Sequence, residues 1–268
     1  MTDARYVIRG GEAGYERLQV LARTVAPSTD ALFDRVGLRD RMRCCDLGCG
    51  PGVVSFTLAE RVAPSGEVVG VDMDEVKLDL ARREAAERGI TNITFRAGDV
   101  TAWDEPGAYD VVYARFLLQH LKHPRELLAR MWAGVRPGGV LIVEDSDFSL
   151  AFCEPPRPEF DFFIDAYSET LRRRDGDPII GRRLYRYATE VGVREPQLSM
   201  AQHVEAAGEG KTMMWRTLDA TADSMVAEGV ATREQIAEAS EVLAAATADA
   251  DTIIGGPATF QIWARRPS

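Results

Sequence analysis

The residues best suited to chemistry form a glycine-rich run that begins with an acid. The run is Asp46-Leu47-Gly48-Cys49-Gly50-Pro51-Gly52, and Asp72 ends the next apolar stretch of the chain. Glycines at alternate positions allow a tight backbone turn and the close approach of a ligand. A carboxylate at the end of the next strand can accept hydrogen bonds from the ribose hydroxyls of a nucleoside. The spacing therefore indicates a nucleoside site between a strand and a helix.

The order of the glycines separates two classes of nucleoside ligand. A dinucleotide site has the pattern GxGxxG, whereas Gly48, Gly50 and Gly52 give GxGxG and Val53 stands at the sixth position. The carboxylate of Asp46 would repel a pyrophosphate but would attract a ligand cation. These residues favour a ligand with a ribose and a positive charge and without phosphates. A NAD-dependent oxidoreductase is kept as an alternative.

The surrounding sequence predicts the elements that would position this turn. Apolar runs and helical patterns alternate, with strands at Met42–Leu47, Glu67–Val71, Ile93–Arg96, Tyr109–Tyr113 and Val140–Glu144 and helices at Val53–Val62, Asp74–Arg88 and Pro124–Val135. Such alternation predicts right-handed crossovers and a parallel sheet. Because the apolar runs are continuous rather than alternating, helices should cover both faces of the sheet.

The N-terminal segment precedes the first strand and cannot belong to that sheet. Its apolar spacing predicts two helices, Glu12–Val25 and Asp30–Val36, with a break at Pro27 and Ser28. Residues 1–36 are therefore expected to form a helical cap, and residues 37–268 to form the main domain.

The second half of the chain departs from the alternating pattern. Residues 146–180 are rich in aromatic side chains, and residues 206–252 predict a helical insertion. A final strand at Thr259–Ala264 follows, and it is expected to pair antiparallel with Gln197–Val204.

Composition excludes several classes of function. The 268 residues include 42 acidic and 32 basic side chains, a net charge of −10, which argues against a nucleic acid as the main partner. There is no apolar run long enough to span a membrane and no secretory segment at the N-terminus, so a cytoplasmic protein is expected. The four cysteines lack CxxC spacing, which predicts reduced thiols and no metal site.

Five motifs in sequence order resemble those of the class I S-adenosylmethionine-dependent methyltransferases. They are the run from Asp46 to Gly52, Val71-Asp72, Ala97-Gly98-Asp99-Val100, Tyr109-Asp110-Val111-Val112-Tyr113 and Arg136-Pro137-Gly138-Gly139. Within that family the chain is most similar to small-molecule enzymes of the ubiquinone/menaquinone-biosynthesis type and to bacterial natural-product methyltransferases. The resemblance implies a Rossmann-like, doubly wound α/β sheet of seven strands with the last strand antiparallel. It also implies S-adenosylmethionine as the cofactor.

The resemblance assigns cofactor contacts to individual residues. Gly48, Gly50 and Gly52 would pass under the methionine portion and the ribose, Asp46 would lie near the sulfonium and amino group, and Asp72 would bind the ribose diol. At the adenine, Met73 would pack on the ring, Asp99 would accept from the exocyclic amine, and the Val100 N–H would face a ring nitrogen. At the methionine portion, Arg115 would lie beside it, and Tyr15 and Arg17 would close over its carboxylate. A helix cap is the alternative role for Asp99.

Methyl transfer requires an aligned nucleophile and sometimes a general base. His120 follows the fourth strand, where this fold places its substrate, and is the candidate base; a structural histidine is the alternative. His203 is expected to have an ordinary surface or packing role. Glu144, Asp145 and Asp147 follow the fifth strand and are expected to be solvated loop acids, one of which could contact substrate.

The expected acceptor is a hydrophobic or aromatic small molecule. The aromatic segment follows the fifth strand, and together with Met213, Met214 and Trp215 of the insertion it would form an apolar lid. The nucleophile is left open among oxygen, nitrogen and carbon. An S-adenosylmethionine-binding enzyme of the same fold that catalyses a different reaction is a second alternative. The insertion would also offer a face for a homodimer.

Overall fold

The structure is a computed structural model that describes residues 12–268, apart from the side chains of residues 12, 13 and 15. The first half contains α1 (Glu12–Val36), β1 (Arg43–Leu47), α2 (Val53–Val62), β2 (Glu67–Asp72), α3 (Glu75–Glu87), β3 (Ile93–Ala97), β4 (Tyr109–Arg115), α4 (Pro124–Gly134) and β5 (Val135–Asp147). The second half contains β6 (Phe152–Glu154), α5 (Pro158–Arg173), α6 (Leu184–Glu190), β7 (Gln197–Ala201), β8 (Val204–Glu205), α7 (Met213–Ala227), α8 (Arg233–Ala248), β9 (Ile253–Gly255) and β10 (Ala258–Arg265).

Seven strands form one twisted sheet in the order β3-β2-β1-β4-β5-β10-β7. Neighbours from β3 to β5 are parallel, whereas β10 runs antiparallel to both β5 and β7. The predicted doubly wound sheet with an antiparallel last strand is therefore confirmed. The strand order reverses between β1 and β4, and ligands of such sheets bind at that point, beyond the carboxyl ends of the strands.

Apolar side chains fill both faces of the sheet. One face packs residues such as Leu128 and Leu184 from α4 and α6, and the other packs Phe33 and Leu58 from α1 and α2. Strand β4 is buried over nearly its whole length, as expected for a strand covered on both sides. This rigid sheet fixes the positions of the loops at its carboxyl edge.

The predicted break in the N-terminal helix is wrong. Helix α1 continues through Pro27, although proline removes one backbone hydrogen bond from the helix. The Ser28 hydroxyl donates to the carbonyl of Val25 at 2.9 Å, and Phe33 and Val36 are fully buried against the sheet. Because packing supplies most helix stability in proteins, burial of this second half outweighs the loss of one hydrogen bond.

The helical insertion is present as α7 and α8, which pack against α5. Their contact is a cluster of buried apolar residues that includes Phe163, Leu218 and Leu243. The predicted strand Gln197–Val204 is divided: β7 ends at Ala201, and β8 joins β6 and β9 in a separate three-stranded sheet. The insertion, the small sheet and α1 all lie toward the carboxyl edge of the main sheet.

No helix within residues 12–268 is both long enough and apolar enough to cross a membrane. All four cysteines are buried and free of disulfide bonds.

Candidate functional site

A cleft of about 1170 Å³ opens at the carboxyl edge of the main sheet. Its walls come from the loop after β1, the ends of β2, β4 and β5, the first half of α1, and helices α5 and α7. This volume exceeds the usual upper range for a small-molecule pocket, so it can hold two ligands side by side.

The glycine turn after β1 forms one wall of the cleft. Gly48, Gly50 and Gly52 all have positive φ angles, of 69°, 53° and 81°, which favour glycine. A Cβ atom added to Gly50 would have no heavy atom of the described chain within 4 Å, whereas one added to Gly48 would lie 2.7 Å from the Cδ1 atom of Leu117. Gly52 does not line the cleft; it precedes α2 and faces the ring of Phe95.

Asp72 holds the turn in place and also lines the cleft. The backbone N–H of Gly50 donates to its Oδ2 atom at 2.8 Å, and that of Asp74 donates to Oδ1 at 2.9 Å. An ionised carboxylate has about four lone-pair sites, so both oxygens can still accept hydrogen bonds from a ligand diol.

Asp46 is a buried acid on the floor of the cleft. Its Oδ2 atom accepts a hydrogen bond from the Ser55 hydroxyl at 2.5 Å. Burial raises the pKa of Asp46 to about 7, although the Ser55 hydrogen bond and the charge of Arg115 act in the opposite direction. A cation bound beside Asp46 would favour the ionised carboxylate.

The ends of β2 and β3 place the other predicted nucleoside contacts on the cleft. Met73 is 55% exposed there, which leaves its thioether side chain available to a ligand ring, and Val100 lines the same wall. Asp99 also lines the cleft, while its Oδ1 atom accepts from the backbone N–H of Thr101 at 2.8 Å. Asp99 therefore acts as a cap, the alternative role considered for it, without leaving the predicted site.

Two arginines reach the cleft from different elements. Arg115, at the end of β4, donates to the hydroxyl of Thr29 in α1 at 3.1 Å. Arg17 is 4% exposed, and its Nη1 atom lies 3.4 Å from the Thr217 hydroxyl in α7. Both arginines line the cleft. The side chain of Tyr15 lies outside the described residues.

His120 lines the cleft but is poorly placed to take up a proton. Burial lowers its pKa to about 3, and the positive charges of Lys77 and Arg17 lower it further. At neutral pH the ring is therefore uncharged, and its surroundings disfavour the imidazolium form.

The expectation of solvated acids after the fifth strand is wrong, because β5 extends to Asp147 and all three acids are fully buried. Asp147 forms an ion pair with Arg182. Asp145 accepts from the backbone N–H of Gln119 at 3.1 Å, and burial raises its pKa to about 7. Neither side chain is among those that line the cleft.

Glu144 joins α1 to the sheet through a buried hydrogen-bond network. Its carboxylate accepts from the Thr29 hydroxyl at 3.0 Å, the Tyr113 hydroxyl at 2.6 Å and the Gln261 amide at 2.7 Å. These donors come from α1, β4 and β10 respectively. The acid therefore fixes the second half of α1 at the rim of the cleft.

The far end of the cleft is apolar. The rings of Phe148 and Tyr167 stack with their centroids 4.2 Å apart, and both line the cleft together with Met213 and Met214. Trp215, which was also expected there, does not line it. An aromatic wall of this kind suits a hydrophobic ligand.

His203 is a cleft residue that the sequence reasoning missed. It follows β7, lines the cleft, and its Nε2 atom lies 3.4 Å from the Ser28 hydroxyl. The signal available in the sequence was its position just beyond the carboxyl end of a strand, where α/β sheets bind ligands.

Comparison with known proteins identifies the family. Residues 38–166, which include the glycine turn and Asp72, match the methyltransferase domain family. Residues 38–166 therefore form a methyltransferase domain of the class I, S-adenosylmethionine-dependent type. The cofactor of this family is S-adenosylmethionine.

Relatives of this methyltransferase domain include enzymes named for O-methylation. The ubiquinone biosynthesis O-methyltransferase of Leptothrix cholodnii is 34% identical over 106 residues, 39% of this chain and 44% of that protein. The nocamycin O-methyltransferase of Saccharothrix syringae is 38% identical over 114 residues, 42% of this chain and 41% of that protein. The matched region thus spans less than half the length of these curated relatives.

The methyltransferase fold extends over most of the chain. A solved structure of a putative methyltransferase from Bacillus halodurans covers 89% of this chain and 98% of its own, with a TM-score of 0.59 and 17% identity. At that identity the similarity concerns the fold alone.

The cleft fits the cofactor of this methyltransferase family. The open side of Gly50 gives a ligand close access to the backbone, and the carboxylates of Asp46 and Asp72 line the same wall. A ribose diol and a positive charge are the groups that these two acids suit.

Proposed function

We propose that the chain transfers the methyl group of S-adenosylmethionine to an apolar small molecule. The observation that carries this proposal is a single cleft with two chemically different ends. One end has the open glycine turn with Asp46 and Asp72, and the other has the stacked rings of Phe148 and Tyr167. The activity, the acceptor and the individual contacts are all part of the proposal.

In this proposal the cofactor-binding residues are those of the glycine wall. Asp72 binds the ribose diol, Asp46 faces the positive charge, and Gly48 and Gly50 leave room for the ligand beside the backbone. Met73, Asp99 and Val100 contact the adenine, while Arg115, Arg17 and Tyr15 surround the methionine portion. When bound, the cofactor supplies an electrophilic methyl group on a sulfonium ion.

The task of the chain is then alignment and the exclusion of water. The buried Arg17 joins α1 to α7 across the cleft, and Phe148, Tyr167 and Met213 close its apolar end. An acceptor held against that wall has little translational freedom, which is where most of the rate enhancement of a displacement reaction can originate. His120, uncharged and shielded, acts in this scheme as a neutral hydrogen-bonding group.

The test begins with the cofactor end of the cleft. S-Adenosylhomocysteine is titrated by calorimetry into the wild type, Asp72→Ala and, as a matched control, Asp79→Ala, an exposed acid of α3 that pairs with Arg82 outside the cleft. Binding is expected to weaken at least tenfold in Asp72→Ala alone, with thermal unfolding showing that each variant folds. No binding by folded wild type, or binding of NAD instead, would refute the proposed site.

The second step tests transfer itself. Wild type with S-adenosylmethionine is incubated with panels of apolar phenols, carboxylic acids and amines, and methylated product and S-adenosylhomocysteine are measured together. Equal amounts of both products support methyl transfer. Conversion of an acceptor without any S-adenosylhomocysteine would instead support the alternative of a non-transfer reaction on the same fold.

A further inference from the structure

We propose that His203 takes the proton from a hydroxyl group of the molecule that receives the methyl group. The chain then methylates oxygen, and its substrates are apolar phenols. This inference rests on the proposed function, because it needs a cofactor at the glycine wall and an acceptor beside it.

His203 lies several strands away from the glycine wall along the sheet. The acids that face the cofactor lie at or just beyond the ends of β1, β2 and β3. His203 instead contacts Ser28 of α1, and the Ser28 carbonyl accepts a hydrogen bond from Gln261 of β10 at 3.1 Å, so His203 lies near β10. Strands in a sheet lie roughly 4.8 Å apart, so the three steps from β1 to β10 span roughly 14 Å. His203 therefore borders the part of the cleft that a nucleoside on the glycine wall leaves free for a second ligand.

The two ring nitrogens of His203 differ in their hydrogen bonds. The Ser28 hydroxyl donates its hydrogen to the carbonyl of Val25, so toward His203 it can only accept. With that donation, the Nε2–H tautomer of His203 completes the contact, since Nε2 lies 3.4 Å from the hydroxyl. In a neutral imidazole the other nitrogen is the proton acceptor. Nδ1 of His203 is accordingly the atom with a free lone pair.

Two carboxylates act on the ring of His203. Partial burial is the largest influence and lowers the pKa of His203 below its usual value, while the carboxylates of Glu205, from β8, and Glu144, from β5, act in the opposite direction. From α1, the uncharged hydroxyl of Ser28 contacts the ring. His120 has the opposite surroundings, because the cations of Lys77 and Arg17 oppose its protonation. Of the two histidines, His203 is the one whose neighbours stabilise an imidazolium.

The chemistry balances without a further reactant. The acceptor O–H bond breaks, its proton moves to Nδ1 of His203, and its electron pair stays on the oxygen. That oxygen forms the new bond to the methyl carbon, and the pair from the broken carbon–sulfur bond remains on sulfur. The stacked rings of Phe148 and Tyr167 provide a flat apolar wall for an aryl group, which favours a phenol over an aliphatic alcohol.

The test uses a phenol that reports its own ionisation. With S-adenosylhomocysteine bound, 4-nitrophenol is added at a pH one unit below its solution pKa, and the absorbance of its phenolate is recorded. We expect the bound probe to be mostly phenolate in wild type, which corresponds to a fall of more than one unit in the pKa of the probe. The shift should vanish in His203→Gln, shrink in Glu205→Gln, and persist in Asp79→Ala, whose acid lies outside the cleft.

A second measurement avoids dependence on the variants. The chain has three histidines, so ring NMR of selectively labelled wild type can assign each one. His203 should be the Nε2–H tautomer before the probe is added and an imidazolium afterwards. A bound but un-ionised probe, no binding of the probe, or protonation of His120 instead would each overturn the proposal. If S-adenosylhomocysteine itself fails to bind, it is the proposed function that fails.

Discussion

The raised pKa of Asp46 predicts that discrimination between S-adenosylmethionine and S-adenosylhomocysteine depends on pH. The two ligands differ by the sulfonium charge, and a nearby carboxylate favours that charge only when it is ionised. With a pKa of about 7, Asp46 is ionised to roughly 10% at pH 6 and roughly 90% at pH 8. The ratio of the two affinities should therefore rise by up to about ninefold over this range.

Calorimetry with both ligands at pH 6, 7 and 8 measures this ratio directly. In Asp46→Asn the side-chain oxygen can still accept from Ser55, but the charge is gone, so the ratio should be independent of pH. A constant ratio in the wild type, or a pH dependence that persists in Asp46→Asn, would refute the reasoning.

The same pKa has a consequence for stability without ligand. The folded-state pKa lies above the ordinary value of 3.8, so the unfolded chain loses this proton first as the pH rises. Between about pH 4 and pH 7, ionisation of Asp46 in the unfolded chain should then reduce the free energy of unfolding, by an amount on the order of 4 kcal/mol. The stability of Asp46→Asn relative to wild type should increase across that window, as denaturant titrations can show.

Three further variants separate the parts of the site. Gly50→Ala and Gly89→Ala both place a Cβ atom in open space at a positive φ, so each should lower the free energy of unfolding by about 1–2 kcal/mol. Only Gly50→Ala should also weaken the binding of S-adenosylhomocysteine, because Gly50 lines the cleft and Gly89 does not. Glu144→Ala leaves three buried donors without their acceptor and should cost at least about 3 kcal/mol in denaturant titrations, with Glu144→Gln losing less. Phe148→Ala should retain S-adenosylhomocysteine affinity in calorimetry while raising KM for an apolar acceptor; unchanged KM would contradict the acceptor wall.

The main sheet could be predicted from the sequence because its signals are local. Continuous apolar runs and glycine-terminated helices indicated the alternating elements, and the motif around Gly48 and Gly50 fixed where the cleft should lie. Asp72 followed from its position at the end of the second strand. Each of these inferences needed only a short window of sequence and the geometry of a parallel sheet.

The errors concern residues whose environment depends on distant segments. Pro27 is an ordinary helix breaker by its local chemistry, and only the burial of Phe33 against the sheet keeps the helix continuous. Glu144 looked like a solvated acid, but its hydrogen-bond donors come from segments up to 117 residues away. His203 has a local signal in its position after β7, but its contact with Ser28 joins residues 175 positions apart in the chain. No local pattern contains these long-range contacts.

Pro27 separates two parts of α1 that contact different regions of the protein. Residues after Pro27, such as Thr29 and Phe33, are part of the hydrogen-bond network and core of the sheet, whereas Arg17 and Leu21 before it face the cleft. A chimaera that replaces the helix only up to residue 26 would alter the residues that meet the ligand and keep those that support the sheet. The wall that α1 gives to the cleft can thus change through the first half of one helix while the fold beneath it is retained.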